Sequence, residues 1–208
     1  MIVILDYGMG NVGSIVNMLK KLGHKSVVSN DTKTIKEADK LILPGVGSFD
    51  AGIENLTKSG LVPLILNHAK VEKKPLLGIC LGMQLLGTKS EEGYLSGLSL
   101  IPFESKRFNF DKNENLKTPH MGWNLVEKNT ISYLTNNIDV NSRFYFVHSY
   151  HAVCSLKENV LLESTYGYKF ASAVCSENIL GVQFHPEKSH KFGMKILDNF
   201  ARGNKVVS

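Results

Sequence analysis

The chain has 208 residues, 43% hydrophobic and 21% charged, with a formal net charge of +5. That length fits one domain, residues 1–208, able to bury a substantial core, and no repeat, low-complexity tract or apolar run near the ~20 residues of a bilayer span interrupts it. The lysines are scattered, as in KK at 20–21 and KVEKK at 70–74, without interleaved aromatics, so the charge reads as a solvated surface and argues against a nucleic-acid platform.

MIVILDYG opens the chain without a basic leader, so the expected location is cytoplasmic. IVIL (2–5) stops at a glycine-rich turn and predicts a buried strand. Val12, Ile15, Val16, Leu19 and Leu22 then recur at helical spacing, with Gly23 as a stop signal. Residues 25–29 and 40–45 predict strands, 50–58 and 61–70 helices, and LLGIC (76–80) another buried strand. Strands alternating with helices on short connections imply an α/β fold, a mostly parallel sheet covered on both faces. From WNLVE (123–127) to ILGVQF (179–184) the chain is β-rich, predicting an additional small antiparallel region before a closing helix at 190–202. Residues 109–118 are the most polar stretch and predict a surface loop.

GMGNVG (8–13) matches G-x-G-x-x-G between a strand and a helix, and Asp31 stands about where a ribose-binding acid falls in dinucleotide folds. The plainer account is that Gly8 and Gly10 permit a tight turn and Gly13 close helix–sheet packing. Nothing later in the chain marks a hydride-transfer site.

Three cysteines at wide spacing, Cys80, Cys154 and Cys175, form neither a disulfide framework nor a CxxC motif. Cys80 lies in G-x-C-x-G (78–82), the form of a nucleophile elbow, in which a sharp strand-to-helix turn requires small neighbours. The following helix favours a thiolate, and its free N–H groups, beginning at Leu81, face a developing oxyanion. On this motif alone a buried cysteine packed as a small hydrophobe fits equally well. A thiol nucleophile needs a base. Of seven histidines, His185 in GVQFHPEKS ends an apolar strand, and Glu187 two residues on would project on the same side of an extended backbone and fix its tautomer. His148 and His151 offer a weaker metal-ligand reading with Cys80 that lacks a further spaced ligand. His120 reads as a loop or packing residue, and His24, His68 and His190 as helix-end surface positions.

DYGMGN (6–11), LPGVGSF (43–49), GICLGMQLL (78–86), SEEG (90–93), PHMGWN (119–124), FYFVHSY (144–150) and GVQFHPEKS (181–189) together resemble the class I glutamine amidotransferases, in the family's order and over nearly the whole chain. PHMGWN and VHSY are similar to the branch that forms the glutaminase subunits of imidazole glycerol phosphate synthases. The resemblance implies a flavodoxin-like three-layer αβα fold and a Cys80–His185–Glu187 triad that hydrolyses L-glutamine through a thioester, with no cofactor and no metal. It implies oxyanion donors at Leu81 and at the Val46–Gly47 peptide, where flanking glycines permit rotation so that the hole need not be preformed. Gln84, Glu92, Ser149 and Tyr150 would hold the substrate. The family's partner is a (β/α)8-barrel cyclase, forming a heterodimer with Asn11 and Lys188 on the docking side. GTKSEEG and LIPFESKRF depart from the commoner wording, which leaves open whether the ammonia serves histidine synthesis or a sugar amidotransferase system in surface polysaccharide synthesis. A non-catalytic docking subunit is the remaining alternative beside the oxidoreductase reading.

Overall fold

The computed structural model describes residues 1–111 and 115–203. Strand and helix alternate through the first half: β1 (Ile2–Leu5), α1 (Val12–Lys21), β2 (Ser26–Ser29), α2 (Thr32–Lys36), β3 (Lys40–Leu43), α3 (Phe49–Lys58), α4 (Leu61–Leu66), β4 (Leu76–Ile79) and α5 (Leu81–Leu85). The helix expected over 61–70 is α-helical only to Leu66 and widens into a π turn at Asn67–Val71. That turn buries His68, expected at the surface, and sets its Nε2 3.1 Å from the Pro75 carbonyl.

The second half runs β5 (Lys89–Ser90), β6 (Phe103–Arg107), β7 (His120–Leu125), β8 (Glu127–Lys128), β9 (Arg143–His148), β10 (Tyr150–Cys154), β11 (Val160–Tyr166), β12 (Tyr168–Ser176) and β13 (Ile179–Val182), then α6 (His190–Arg202), the helix expected there. The polar loop expected at 109–118 has no regular structure at 109–111 and 115–118, and its residues 112–114 lie outside the described residues.

The parallel strands lie in the order β2-β1-β3-β4-β13. Alternate side chains of β1 enter different cores. Ile2 and Ile4 meet Ile15 and Leu19 of α1 and Ile196 of α6, whereas Val3 and Leu5 meet Phe49 and Leu56 of α3 and Ile65 of α4. Helices therefore cover both faces, the three-layer arrangement that a parallel sheet requires. The β-rich half forms the antiparallel region expected of it: β12, β10 and β6 extend the main sheet beyond β13, and β7 and β9 pair as a small second sheet. The register Leu43↔Gly78 and Val182↔Ile79 brings the carboxyl ends of β3, β4 and β13 side by side, where parallel α/β sheets place their sites.

One lysine departs from the solvated surface. Lys40, at the start of β3, is 5% exposed, and its Nζ donates to the Phe200 and Ala201 carbonyls at 2.8 and 2.7 Å and to that of Gly203. A cation there satisfies the free carbonyls at the end of α6 and complements its dipole.

Candidate active site

The elbow is built by exclusion of side chains. A Cβ on Gly82 would lie 1.9 Å from the Leu43 carbonyl oxygen, and one on Gly78 would lie 2.6 Å from the Gly82 oxygen. Only glycine lets β4 turn this sharply into α5 beneath the β3 loop. Between them Cys80 adopts φ 55° and ψ −112°, a conformation that costs a non-glycine residue about 1–3 kcal/mol and is held by its surroundings. Its backbone N–H donates to the Val182 carbonyl at 2.8 Å, tying the elbow to β13. With five residues α5 has only a weak dipole, so the backbone conformation of Cys80 contributes more to the elbow than a helix dipole does.

His185 follows β13 by three residues, and its Nδ1 lies 2.7 Å from Glu187 Oε1, with both side chains 2% exposed. The two do not meet across an extended strand. Pro186–Lys188 forms a 3₁₀ turn that brings the carboxylate back to the ring. Ser189, missed in the sequence, clamps the turn: its Oγ donates to the His185 carbonyl at 2.6 Å and accepts from the Tyr145 N–H at 3.0 Å. Burial pushes the imidazole pKa down, but interaction with Cys80 and Glu187 outweighs it and raises the pKa to about 9. Nε2, buried toward no regular hydrogen-bond partner, is left for the thiol: the groups interact without being aligned.

Cys80 and His185 face a cavity of about 310 Å³, also lined by Val46, Gly47, Leu81, Gln84, Glu92, Ser149 and Tyr150. Pro119, Val147 and His148 line it too, and sequence reasoning assigned none of them to substrate. Gln84 donates its amide hydrogens to the Tyr150 carbonyl at 3.2 Å and to Gln183 Oε1 at 3.1 Å, which leaves Oε1 as its free group. Glu92 accepts the Phe49 N–H through Oε2 at 2.8 Å, capping α3 and leaving its other oxygen. Gly47 has φ +111°, and the neighbouring Pro44 carbonyl accepts the Tyr7 hydroxyl at 2.5 Å. Tyr7, unassigned in the sequence, is buried close enough to Cys80 that burial first, and the sulfur's charge second, raise its pKa.

One histidine of the cavity wall, His148, is backed by His120, and both are neutral. His148 Nδ1 donates to the Tyr150 carbonyl at 2.7 Å, so its Nε2 accepts from His120 Nδ1 at 2.9 Å, and His120 Nε2 accepts from the Asn124 amide at 3.3 Å. Burial pushes His120 to about 4. His148 is pushed to about 3, by burial first, against the Tyr150 carbonyl and with the charges of His120, His151 and His185. These folded-state values lie below the unfolded one, so the stability of the neutral pair is present above about pH 6.5 and falls as pH drops toward 4 and 3. Urea unfolding should show His148 costing about 2 kcal/mol between pH 7 and pH 5. His148→Gln should flatten that slope, and an unchanged slope would disprove the assignment.

Asn11 caps α1 by accepting the Ser14 N–H at 3.4 Å, and exposed Lys188 places Nζ 5.7 Å from the Tyr145 ring centre. Asp31 is committed elsewhere than to a ribose: it caps α2 through the Thr34 N–H and hydroxyl, each at 2.8 Å, and those bonds lower its pKa. Gly8 and Gly10 have positive φ, as a tight turn requires, but a Cβ on Gly13 would meet nothing within 4 Å, so close packing does not explain that glycine. His151 Nε2 lies 3.0 Å from the Tyr168 hydroxyl, and among the described residues no group of three His, Cys, Asp or Glu could hold a metal ion. His24 is half-buried against Asp198 at 2.7 Å, while His190 is exposed and stacks on Trp123.

Residues 3–203 match the family model described as glutamine amidotransferase class-I. The chain is 54% identical to the imidazole glycerol phosphate synthase subunit HisH 2 of Methanococcus maripaludis, over 97% of this chain and 99% of the relative. It is 49% identical to the subunit HisH 2 of Pseudomonas aeruginosa, over 96% and 98%. In fold it is similar to PurLQS from Thermotoga maritima, with a TM-score of 0.68 and 19% identity over 96% of each chain.

Proposed function

The chain belongs to the class I glutamine amidotransferases and is a glutaminase subunit of the imidazole glycerol phosphate synthase type in histidine biosynthesis; within it we propose that Cys80, His185 and Glu187 are the catalytic triad. The observation that carries this reading is the buried imidazole between thiol and carboxylate, in the cavity at the carboxyl ends of β3, β4 and β13. Cys80 Sγ attacks the amide carbon of L-glutamine while His185 Nε2 takes the thiol proton and Glu187 holds Nδ1–H. The Leu81 N–H and the Val46–Gly47 peptide receive the oxyanion. His185 returns its proton to the departing ammonia, leaving a thioester that water opens through a second oxyanion to give glutamate. An imidazole that keeps its proton above neutral pH suits the delivery step. Gln84 Oε1 and the free oxygen of Glu92 are acceptors fit for the substrate's N–H groups, and Ser149 and Tyr150 close the same cavity.

Such a subunit works with a partner that consumes the ammonia, because ammonia released into water is protonated and lost as a nucleophile. We assign that partner as a (β/α)8-barrel cyclase, docking on the side of Asn11 and Lys188. Exposed Met121, Trp123 and Leu125, alternate residues on one face of β7, supply apolar surface. The departures in GTKSEEG and LIPFESKRF fall on β5, β6 and their connection, where only Glu92 lines the cavity, so they leave the chemistry unchanged. Among the described residues no helix is long and apolar enough to cross a membrane, and a cytoplasmic location goes with this reading.

Ammonia release from glutamine, measured with and without the barrel partner, should be low alone and strongly stimulated by it. Gly47→Ala, which strains φ +111° and sets a Cβ 2.8 Å from Met9 Cε, should blunt the stimulation if the partner works by turning the Val46–Gly47 peptide. Unchanged stimulation would remove that peptide from the mechanism, and no release with a competent partner would remove the glutaminase reading.

A further inference from the structure

Gln183 follows β13 directly and is fully buried, with its backbone N–H donating to the Ser172 carbonyl at 2.9 Å. Its side-chain amide has one orientation that satisfies its neighbours. Gln84 Nε2 donates both to the Tyr150 carbonyl and to Gln183 Oε1. The Tyr150 carbonyl also accepts from His148 Nδ1, so both its lone pairs are used. Flipping Gln84 would set its oxygen against that carbonyl, and flipping Gln183 would set two NH₂ groups against each other. With neither flipped, Gln183 Nε2 points at Cys80 Sγ from 3.9 Å.

Resting on the glutaminase reading, we propose that Gln183 holds Cys80 as the attacking thiolate by donating its Nε2–H to Sγ. A neutral donor favours the charged form of the acceptor it faces and restrains where that acceptor sits. At 3.9 Å the contact is long, and hydrogen bonds to reacting groups commonly tighten along the reaction. The run from half-buried Asn124 through buried His120 and His148, the Tyr150 carbonyl and Gln84 fixes the direction of this one donor.

The test is alkylation of Cys80 by iodoacetamide across pH, with the modified peptide identified by mass spectrometry so that half-buried Cys154 and buried Cys175 do not contribute. In Gln183→Leu the rate at pH 7 should fall about tenfold and its midpoint move up by about one pH unit. Partner-stimulated kcat should fall by more than KM for glutamine rises, because Gln84 keeps its bond to the Tyr150 carbonyl. An unchanged alkylation profile in the folded variant would overturn the proposal, even with a lowered melting temperature, because a purely structural amide would leave the thiol unaffected. A second readout uses the wild-type chain. The Gln183 side-chain NH₂ resonance should shift with the same midpoint as Cys80 alkylation and lose that shift in Cys80→Ala; a resonance blind to Cys80 would equally overturn it. Neither alkylation nor resonance requires glutamine or a partner, so failure of the glutaminase reading would be distinguishable from failure of this one.

Discussion

Cys80→Ala is expected to lower partner-stimulated ammonia release by on the order of 10⁴-fold or more, since the nucleophile leaves and what remains is binding and oxyanion stabilisation. The substitution removes one sulfur from a site 7% exposed and leaves the backbone at φ 55° to a residue of similar demands. Glutamine should therefore still bind, with a calorimetric Kd close to that of the unmodified protein. A variant within tenfold of wild-type turnover would exclude Cys80 as nucleophile. The same variant should lower the His185 pKa from about 9, because Cys80 is one of the two influences that raise it. With a folded value above the unfolded one, the imidazole stabilises the fold below about pH 6.5, and that contribution is lost as pH rises toward 9. In Cys80→Ala this alkaline loss should shrink, and an NMR titration of His185 reads it directly.

Gly82→Ala should be among the most destabilising single substitutions outside the triad. Its Cβ would lie 1.9 Å from the Leu43 oxygen and 2.8 Å from its carbon. Neither backbone has room to retreat: Leu43 pairs with Gly78, and Gly78 pairs in turn with Gly181. Overpacking against backbone in a buried ladder costs about 3 kcal/mol or more. Gly13→Ala, in the first turn of α1, is the control, because a Cβ there meets nothing within 4 Å and alanine is the better helix former by up to about 1 kcal/mol. Urea midpoints should move in opposite directions for the two variants. Equal stabilities would mean that the elbow does not press against β3.

The parallel half of the fold was legible because its signals are local. Four-residue apolar runs such as IVIL, which ends before a glycine-rich turn, and LLGI, which follows Pro75, mark the strands, and helical spacing lies between them. Helix α6 begins and ends where its pattern does. What escaped depends on contacts distant in sequence. FESKR gives β6 a weak alternation, and it becomes a strand by pairing with β10 some 50 residues later. Gln183 meets Gln84 across 99 positions, and His120 meets His148 across 28, spacings that no periodicity announces. Tyr7 looks like part of a glycine turn until the β3 loop is laid against it. The triad pair was visible as HPE, yet the extended geometry inferred for it was wrong because proline starts a 3₁₀ turn there.

Lys40 ties two halves of the site into one frame. It begins β3, the strand that delivers the Val46–Gly47 loop, and grips the far end of α6, whose near end follows the Ser189 clamp on His185. A helix of 13 residues, about 20 Å long, thus spans from β3 to the turn that holds His185. Sliding β3 against α6 would break the Lys40 bonds to the carbonyls at the helix end, so the strand and the helix are coupled there.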